Sequence, residues 1–309
     1  MNTPAAVAPR PLGEARSLLF VPGDRPERFA KALASGADAV ILDLEDAVAP
    51  DAKEDARAAI AQAWAQWPTA QRARVLLRTN AAGTPWQADD WALAAQLAGQ
   101  GLGGLLPAKV ESADDLAALA QACPGVALLP LIESARGLDA LPAIARAPQV
   151  RRLVFGHLDF QSDLGMACGP DEAELLPARW AFVLQSRLAG LAAPVDGVST
   201  ALDDPAILTA DTQRSRRLGF GAKLCIHPAQ VLGVHRALAP SALECDWARR
   251  VLAAVAAAGQ GPGAGAIRVE GRMVDAPIVA LARRHLALEF QAPGKDAGES
   301  SGSAARAFL

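Results

Sequence analysis

The chain has 309 residues, 51% hydrophobic and 20% charged, which suits a globular protein that buries its core in one large α/β domain or two smaller ones. Its 30 Lys and Arg against 33 Asp and Glu leave a net charge of −3. The basic residues are scattered among acidic ones, so nothing suggests the basic patch or stripe of a nucleic-acid binder, and no uncharged apolar run approaches the roughly 20 residues of a membrane span.

Cys123, Cys168, Cys225 and Cys245 form no CxxC pair, so neither a metal clip nor a redox motif is supported. The opening MNTPAAVAPRPLGEAR has no apolar h-region, so a signal peptide is not expected and the location reads as cytoplasmic by default.

A short apolar run followed by an Ala-rich amphipathic segment recurs along the chain. Residues 16–22 (RSLLFVP) read as a first strand and 26–34 as its helix. Strands at 39–44, 74–79, 104–107 and 126–132 precede helices at 51–67, 86–97, 112–122 and 135–145, with Ser112 placed as an N-cap. Residues 152–155 form a sixth strand, and 195–198 and 223–226 a seventh and eighth, each with a helix after it. The apolar runs are continuous rather than alternating, as in parallel strands covered on both faces. About eight β-then-α units predict a (β/α)8 TIM barrel, with a doubly wound open sheet as the alternative. The first strand is not followed by G-x-G-x-x-G, which argues against dinucleotide binding.

After the eighth unit, Ser241 opens a helix reaching 258, a Gly-rich stretch spans 259–265, and 267–275 leads to a last helix over 277–288. The expected layout is a flexible arm over 1–15, a barrel over 16–240 and a C-terminal helical extension over 241–290. The glycines act as its hinge, and a disordered tail follows over 291–309.

Polar residues just after barrel strands face the catalytic mouth. Here the strand ends carry Asp24 and Arg25, Asp43, Glu45 and Asp46, Arg78 and Asn80, Lys109, Glu133 and Ser134, then His157 and Asp159. One such carboxylate reads as a helix cap, whereas six polar strand ends form a funnel. Glu133 and Asp159 end neighbouring strands, about 4.8 Å apart. They can converge on one ion, and two carboxylates with waters and substrate oxygens suit Mg²⁺. The competing reading pairs each carboxylate with Arg78, Arg25 or Lys109 in an ion network. His157 has no second histidine near it, so a zinc site is unsupported. Arg78 and Arg25 are natural anchors for a substrate carboxylate. His227, ahead of Pro228, reads as a proton donor or, preferably, as part of a turn with Pro228 at the helix N1 position.

In order, LLFVPGDRPERFAKAL, ADAVILDLEDAV, LLRTNAAGTP, AKVESADDL, LIESARG, FGHLDF, KLCIHPAQV and EGRMVDAPIV resemble the citrate lyase β-subunit-like group of the HpcH/HpaI aldolase superfamily, alongside malyl-CoA and citramalyl-CoA lyases. The match spans about 16–288. The resemblance implies a TIM barrel with a C-terminal lid, and Mg²⁺ (or Mn²⁺) held by Glu133 and Asp159. It further implies that Arg78 binds the acid, that Arg25, Asp43 and Glu45 line the site, and that Asp275 completes the site of a neighbouring subunit in a homo-oligomer, typically a trimer. Two departures stand out: Pro107-Ala108-Lys109 where the family reads Pro-Lys, and Gly156-His157-Leu158-Asp159 where it often has Gly-Ala/Ser-Glu-Asp.

The resulting expectation is a Mg²⁺-dependent lyase that cleaves or forms a 3-hydroxyacyl-CoA such as malyl-, citramalyl- or citryl-CoA. Its products would be acetyl- or propionyl-CoA and a 2-oxo acid such as glyoxylate or pyruvate. The alternatives are a CoA-independent aldolase releasing pyruvate, a malyl-CoA thioesterase, and the β subunit of a citrate lyase complex.

Overall fold

A computed structural model describes residues 10–258 and 266–289. The Gly-rich hinge, the tail and most of the N-terminal arm expected from sequence lie outside those residues. The chain divides into two compact units, of which one runs from Arg10 to Leu238 and the other takes in the residues from Ala239 onward.

The first unit is built on eight parallel strands: β1 (Ser17–Pro22), β2 (Ala39–Asp43), β3 (Val75–Thr79), β4 (Gly104–Pro107), β5 (Leu131–Ile132), β6 (Val154–Phe155), β7 (Val195–Asp196) and β8 (Ala222–Cys225). Their order is β4-β3-β2-β1-β8-β7-β6-β5. Single parallel bridges from Leu128 to Leu105 and to Val150 join the two ends and close the barrel. The expected fifth strand over 126–132 is reduced because Pro130 has no amide to give the ladder.

The helices around it are α1 (Phe29–Leu33), α2 (Lys53–Gln66), α3 (Thr69–Arg72), α4 (Gln87–Ala98), α5 (Ala113–Ala122), α6 (Ala135–Asp139), α7 (Leu141–Ile144), α8 (His157–Leu164), α9 (Leu176–Leu188), α10 (Pro205–Leu218) and α11 (Gln230–Leu238). Ser112 caps α5 by accepting from the Asp114 amide, as its position predicts. The single helix expected over 135–145 is broken at Ala140, because Pro142 in the first turn of α7 lacks the N–H that would continue it. Pro228 is not the first helical residue expected from sequence. It sits in the turn ahead of α11, where His227 Nδ1 accepts from the Ala229 amide at 3.2 Å.

Two apolar layers follow from the period of two along each strand. Leu18, Ile41, Leu76, Leu106, Leu129, Val154 and Leu224 fill the barrel. Leu19, Val40, Leu77, Leu105, Phe155 and Cys225 face the helices. The barrel is therefore a packed core, and its chemistry is confined to its mouth.

In the second unit, α12 (Ala242–Ala257) and α13 (Ala276–Ala287) flank an antiparallel pair, β9 (Ile267–Val269) and β10 (Arg272–Val274). Ser241 and Glu244 form a full capping box on α12. Ala248, Val251, Val269, Val274 and Ala282 make its small core. Among the described residues, no helix is long and apolar enough to cross a membrane.

Candidate active site

The strand alternation that points Leu18, Ile41 and Leu76 into the barrel also points Phe20, Asp43 and Arg78 there, two residues nearer the mouth. The β2–β3 register sets Asp43 directly beside Arg78. Arg78 Nε and Nη2 donate to the two oxygens of Asp43 at 2.6 Å each. Nη1 lies 2.8 Å from Glu45 Oε2, and the guanidinium stands over the Phe20 ring, 4.8 Å from its centre. Burial works against the charge, but the bonds to Asp43 and the charges of Asp43, Glu45 and Glu133 outweigh it and raise the arginine above its ordinary range. Three of its five N–H groups are thereby occupied, and two stay available to a ligand. Asp43 also accepts from the amides of Glu45 and Ala47. It is 1% exposed, with both oxygens turned to Arg78 and the turn amides.

Glu45 binds Arg78 and also receives the ammonium of Lys109. Lys109 reaches Asp46 as well, at 3.0 Å. Burial lowers the lysine's pKa, and these two carboxylates more than reverse the effect, leaving it above the usual value. Its backbone is left-handed, with φ of 50°, a conformation costing a non-glycine residue roughly 1–2 kcal/mol. Its amide donates to Glu133 Oε1 at 2.9 Å. One residue thus supports both halves of the mouth.

Glu133 continues the inward face of Leu129 and Leu131 and is 4% exposed. Burial, then the like charges of Glu45 and Asp159, push its pKa well above the ordinary glutamate value, against the pull of Arg78 and the Lys109 amide. Among the described residues no donor reaches its Oε2. That oxygen lies against Gly156, where an added Cβ would fall 2.7 Å from the Glu133 Cβ and 3.2 Å from Cδ. Gly156 opens α8, which carries Asp159, exposed, on its first turn. Arg78, Glu133, Gly156, His157 and Asp159 share the wall of one cavity of about 350 Å³, which is open to solvent.

Among the described residues no cluster of three His, Cys, Asp or Glu side chains converges in metal-binding geometry. Glu133 and Asp159 are two carboxylates in the wall of one cavity, a donor set that suits a hard dication such as Mg²⁺, which takes its remaining ligands from water and substrate oxygens. The like charges of Glu45 and Asp159 beside Glu133 suit such an ion.

His157, 3% exposed, is turned to Glu172, with Nε2 3.4 Å from Oε1. Arg179 and Arg214 hold the other oxygen of Glu172 at 2.5 and 2.7 Å. The imidazole packs on Gly197, where a Cβ would stand 2.8 Å from Cε1. Arg25 is exposed and is not among the residues lining the cavity. Asp275 belongs to the second unit, where its side chain caps α13. Phe20 and Glu172 escaped the sequence reading, which named Lys109 at its strand end and as an ion-pair partner without its left-handed backbone. Only the left-handed Lys109 had a signal, the inserted alanine before it. Glu172 sits far along the chain in a stretch with no motif.

A (β/α)8 barrel whose mouth combines a fixed arginine with a crowded, buried glutamate has the layout of a barrel enzyme's active site. The HpcH/HpaI aldolase/citrate lyase family matches residues 16–228, and the chain belongs to that family of lyases. A citrate lyase subunit beta-like protein of Deinococcus radiodurans is 38% identical over 296 residues, covering 94% of this chain and 100% of the relative. A (3S)-malyl-CoA thioesterase of Cereibacter sphaeroides is 35% identical, covering 88% of this chain and 93% of the relative. Among solved structures, CitE from Mycobacterium tuberculosis in complex with magnesium, acetoacetate and coenzyme A superimposes with a TM-score of 0.77 at 33% identity. It covers 90% of this chain and 99% of that one.

Proposed function

We propose that this chain cleaves, or forms, a 3-hydroxyacyl-CoA such as malyl-, citramalyl- or citryl-CoA, with Glu133 and Asp159 holding one Mg²⁺ or Mn²⁺. The observation that carries this reading is Glu133, a buried carboxylate among like charges, in the wall of a cavity it shares with Asp159 and Arg78. The Mycobacterium tuberculosis structures with magnesium and pyruvate, and with oxaloacetate and magnesium, support it.

When bound, the ion would supply Lewis acidity toward the oxygens of an oxo or hydroxy acid. Arg78 holds the acid's carboxylate with its two remaining N–H groups, and Asp43 and Glu45 keep the guanidinium in place. In the cleavage direction the 3-hydroxyl passes its proton to solvent water and the bond between C2 and C3 breaks. The hydroxyl carbon becomes the carbonyl of a 2-oxo acid, and the electron pair passes to the thioester's α-carbon. That carbon takes a proton, from Asp275 of a neighbouring subunit in a homotrimer. The products are acetyl- or propionyl-CoA and an acid such as glyoxylate or pyruvate, made in the cytoplasm.

A second reading, hydrolysis of malyl-CoA, is favoured by the thioesterase relatives. Incubating the purified protein with each of the three CoA esters, with and without Mg²⁺, separates the two by mass spectrometry. Acyl-CoA with a 2-oxo acid is the expected outcome. Free CoA with malate would establish the thioesterase instead, and no turnover of any ester would refute both.

A further inference from the structure

Lys53 stands on the first turn of α2, outside the barrel wall, yet is 4% exposed. All three protons of its ammonium are used. Nζ donates to the carbonyl of Leu44 at 2.6 Å, to that of Glu45 at 2.8 Å and to Asn80 Oδ1 at 2.9 Å. Asn80 donates to the same Leu44 carbonyl at 2.9 Å and to Asp90 Oδ2 at 2.7 Å. Asp90 is 0% exposed and is held by Arg57 at 2.9 Å. The Trp86 ring covers the ammonium, its centre 4.9 Å away.

Both lone pairs of the Leu44 carbonyl are therefore taken, and the Glu45 carbonyl accepts from Val48 as well as from Lys53. What the cluster fixes is one turn, residues 43–48. That turn carries both carboxylates that grip Arg78, and one of them also receives Lys109. No neutral side chain supplies three protons from one atom, and an apolar replacement would strand three acceptors in a buried site. Burial lowers the lysine's pKa, while Glu45, Asp43, Asp90 and Asp46 oppose that effect.

We infer that Lys53 is a positioning residue for the acid-binding site. Through the carbonyls of Leu44 and Glu45 it sets the turn that holds Arg78, touching no ligand itself. The inference rests on the reading of Arg78 as the acid's anchor.

Lys53→Met and the milder Asp90→Asn test it in the full-length protein. Deuterium exchange should rise about tenfold or more in the peptide spanning 43–48, the scale set by losing one buried hydrogen bond, and stay unchanged across β6 to β8. Pyruvate affinity, measured by calorimetry with saturating MgCl₂, should fall by a similar factor of about ten. The affinity for Mg²⁺ alone should stay within about twofold. A merely structural lysine would lower Tm and leave pyruvate affinity in the folded protein untouched. Unchanged exchange at 43–48 in the folded variants overturns the inference, and so does a loosened turn with unaltered pyruvate affinity. Should Lys53→Met fail to fold, Asp90→Asn decides by the same two readings. Wild-type protein that binds glyoxylate or oxaloacetate in place of pyruvate is read with that acid in the same assay; binding none of the three refutes the proposed function instead, and the exchange result then decides alone whether Lys53 fixes the turn.

Discussion

Gly156→Ala adds one methyl group where the structure has no room for it. The new Cβ would stand 2.7 Å from the Glu133 Cβ and 3.2 Å from its Cδ, and closer still to Oε2. The backbone at Gly156, φ −90° and ψ 72°, lies near the inverse γ-turn minimum that alanine also adopts. Backbone strain therefore contributes little, and the effect is steric, directed at one carboxylate. Overpacking of this kind costs about 1–3 kcal/mol. At about 2–4 °C per kcal/mol for a unit of this size, Tm should fall by about 2–12 °C. The larger effect is expected on the metal, because the new methyl displaces the Glu133 carboxylate. Calorimetric titration with MgCl₂ should show affinity weakened at least about tenfold, equivalent to about 1.4 kcal/mol, with circular dichroism unchanged. A variant with lowered Tm and wild-type Mg²⁺ affinity would refute the assignment of Glu133 Oε2 as a ligand. Wild-type values for both would refute the packing itself.

Arg78→Lys loses the two-pronged bond to Asp43 and should raise KM for the acid by about tenfold or more, while Mg²⁺ affinity holds. Equal loss of both would mean that the arginine serves the metal site. Burial opposes ionisation of Glu172, but its contacts with His157 and Arg179 hold its pKa well below the ordinary 4.5. A depressed carboxylate contributes stability that is present above its unfolded value and is lost as pH falls below it. Tm measured downward from pH 4.5 should therefore drop more steeply in the wild type than in Glu172→Gln, and parallel curves would remove the residue from acid unfolding. Arg152, 1% exposed at the opposite end of the barrel, donates to the carbonyls of Ala193, Ala15 and Leu12. Arg152→Met strands those acceptors and should cost about 1–3 kcal/mol in urea unfolding, with turnover of the folded enzyme intact. A change in KM would contradict the stabilising role of that end.

Much of this arrangement is legible in the sequence because it depends on short-range pattern. Continuous apolar runs alternating with Ala-rich helices imply parallel strands under helices, and the polar residue after each run lands at the mouth for reasons of chain direction alone. Caps at Ser112 and Ser241 are equally local, since their partners lie two and three residues away. Placing Glu133 just after β5 and Asp159 after β6 needed only the order of the units, although Asp159 lies on the first turn of α8 rather than on the strand end.

Partner choice was a different matter. Arg78 could have faced Glu133, Asp159 or a ligand, and the register that puts Asp43 beside it depends on how β2 and β3 align. The left-handed Lys109 sends its ammonium to two carboxylates of the turn after β2. His157 is claimed by Glu172, and Lys53 crosses from a helix to the turn after β2. Sequence determined which charges gather at the mouth, because strand direction is written in local pattern. Only the tertiary structure decided which of them neutralise one another and which stay open to a ligand, because those choices depend on distances between residues far apart in the chain.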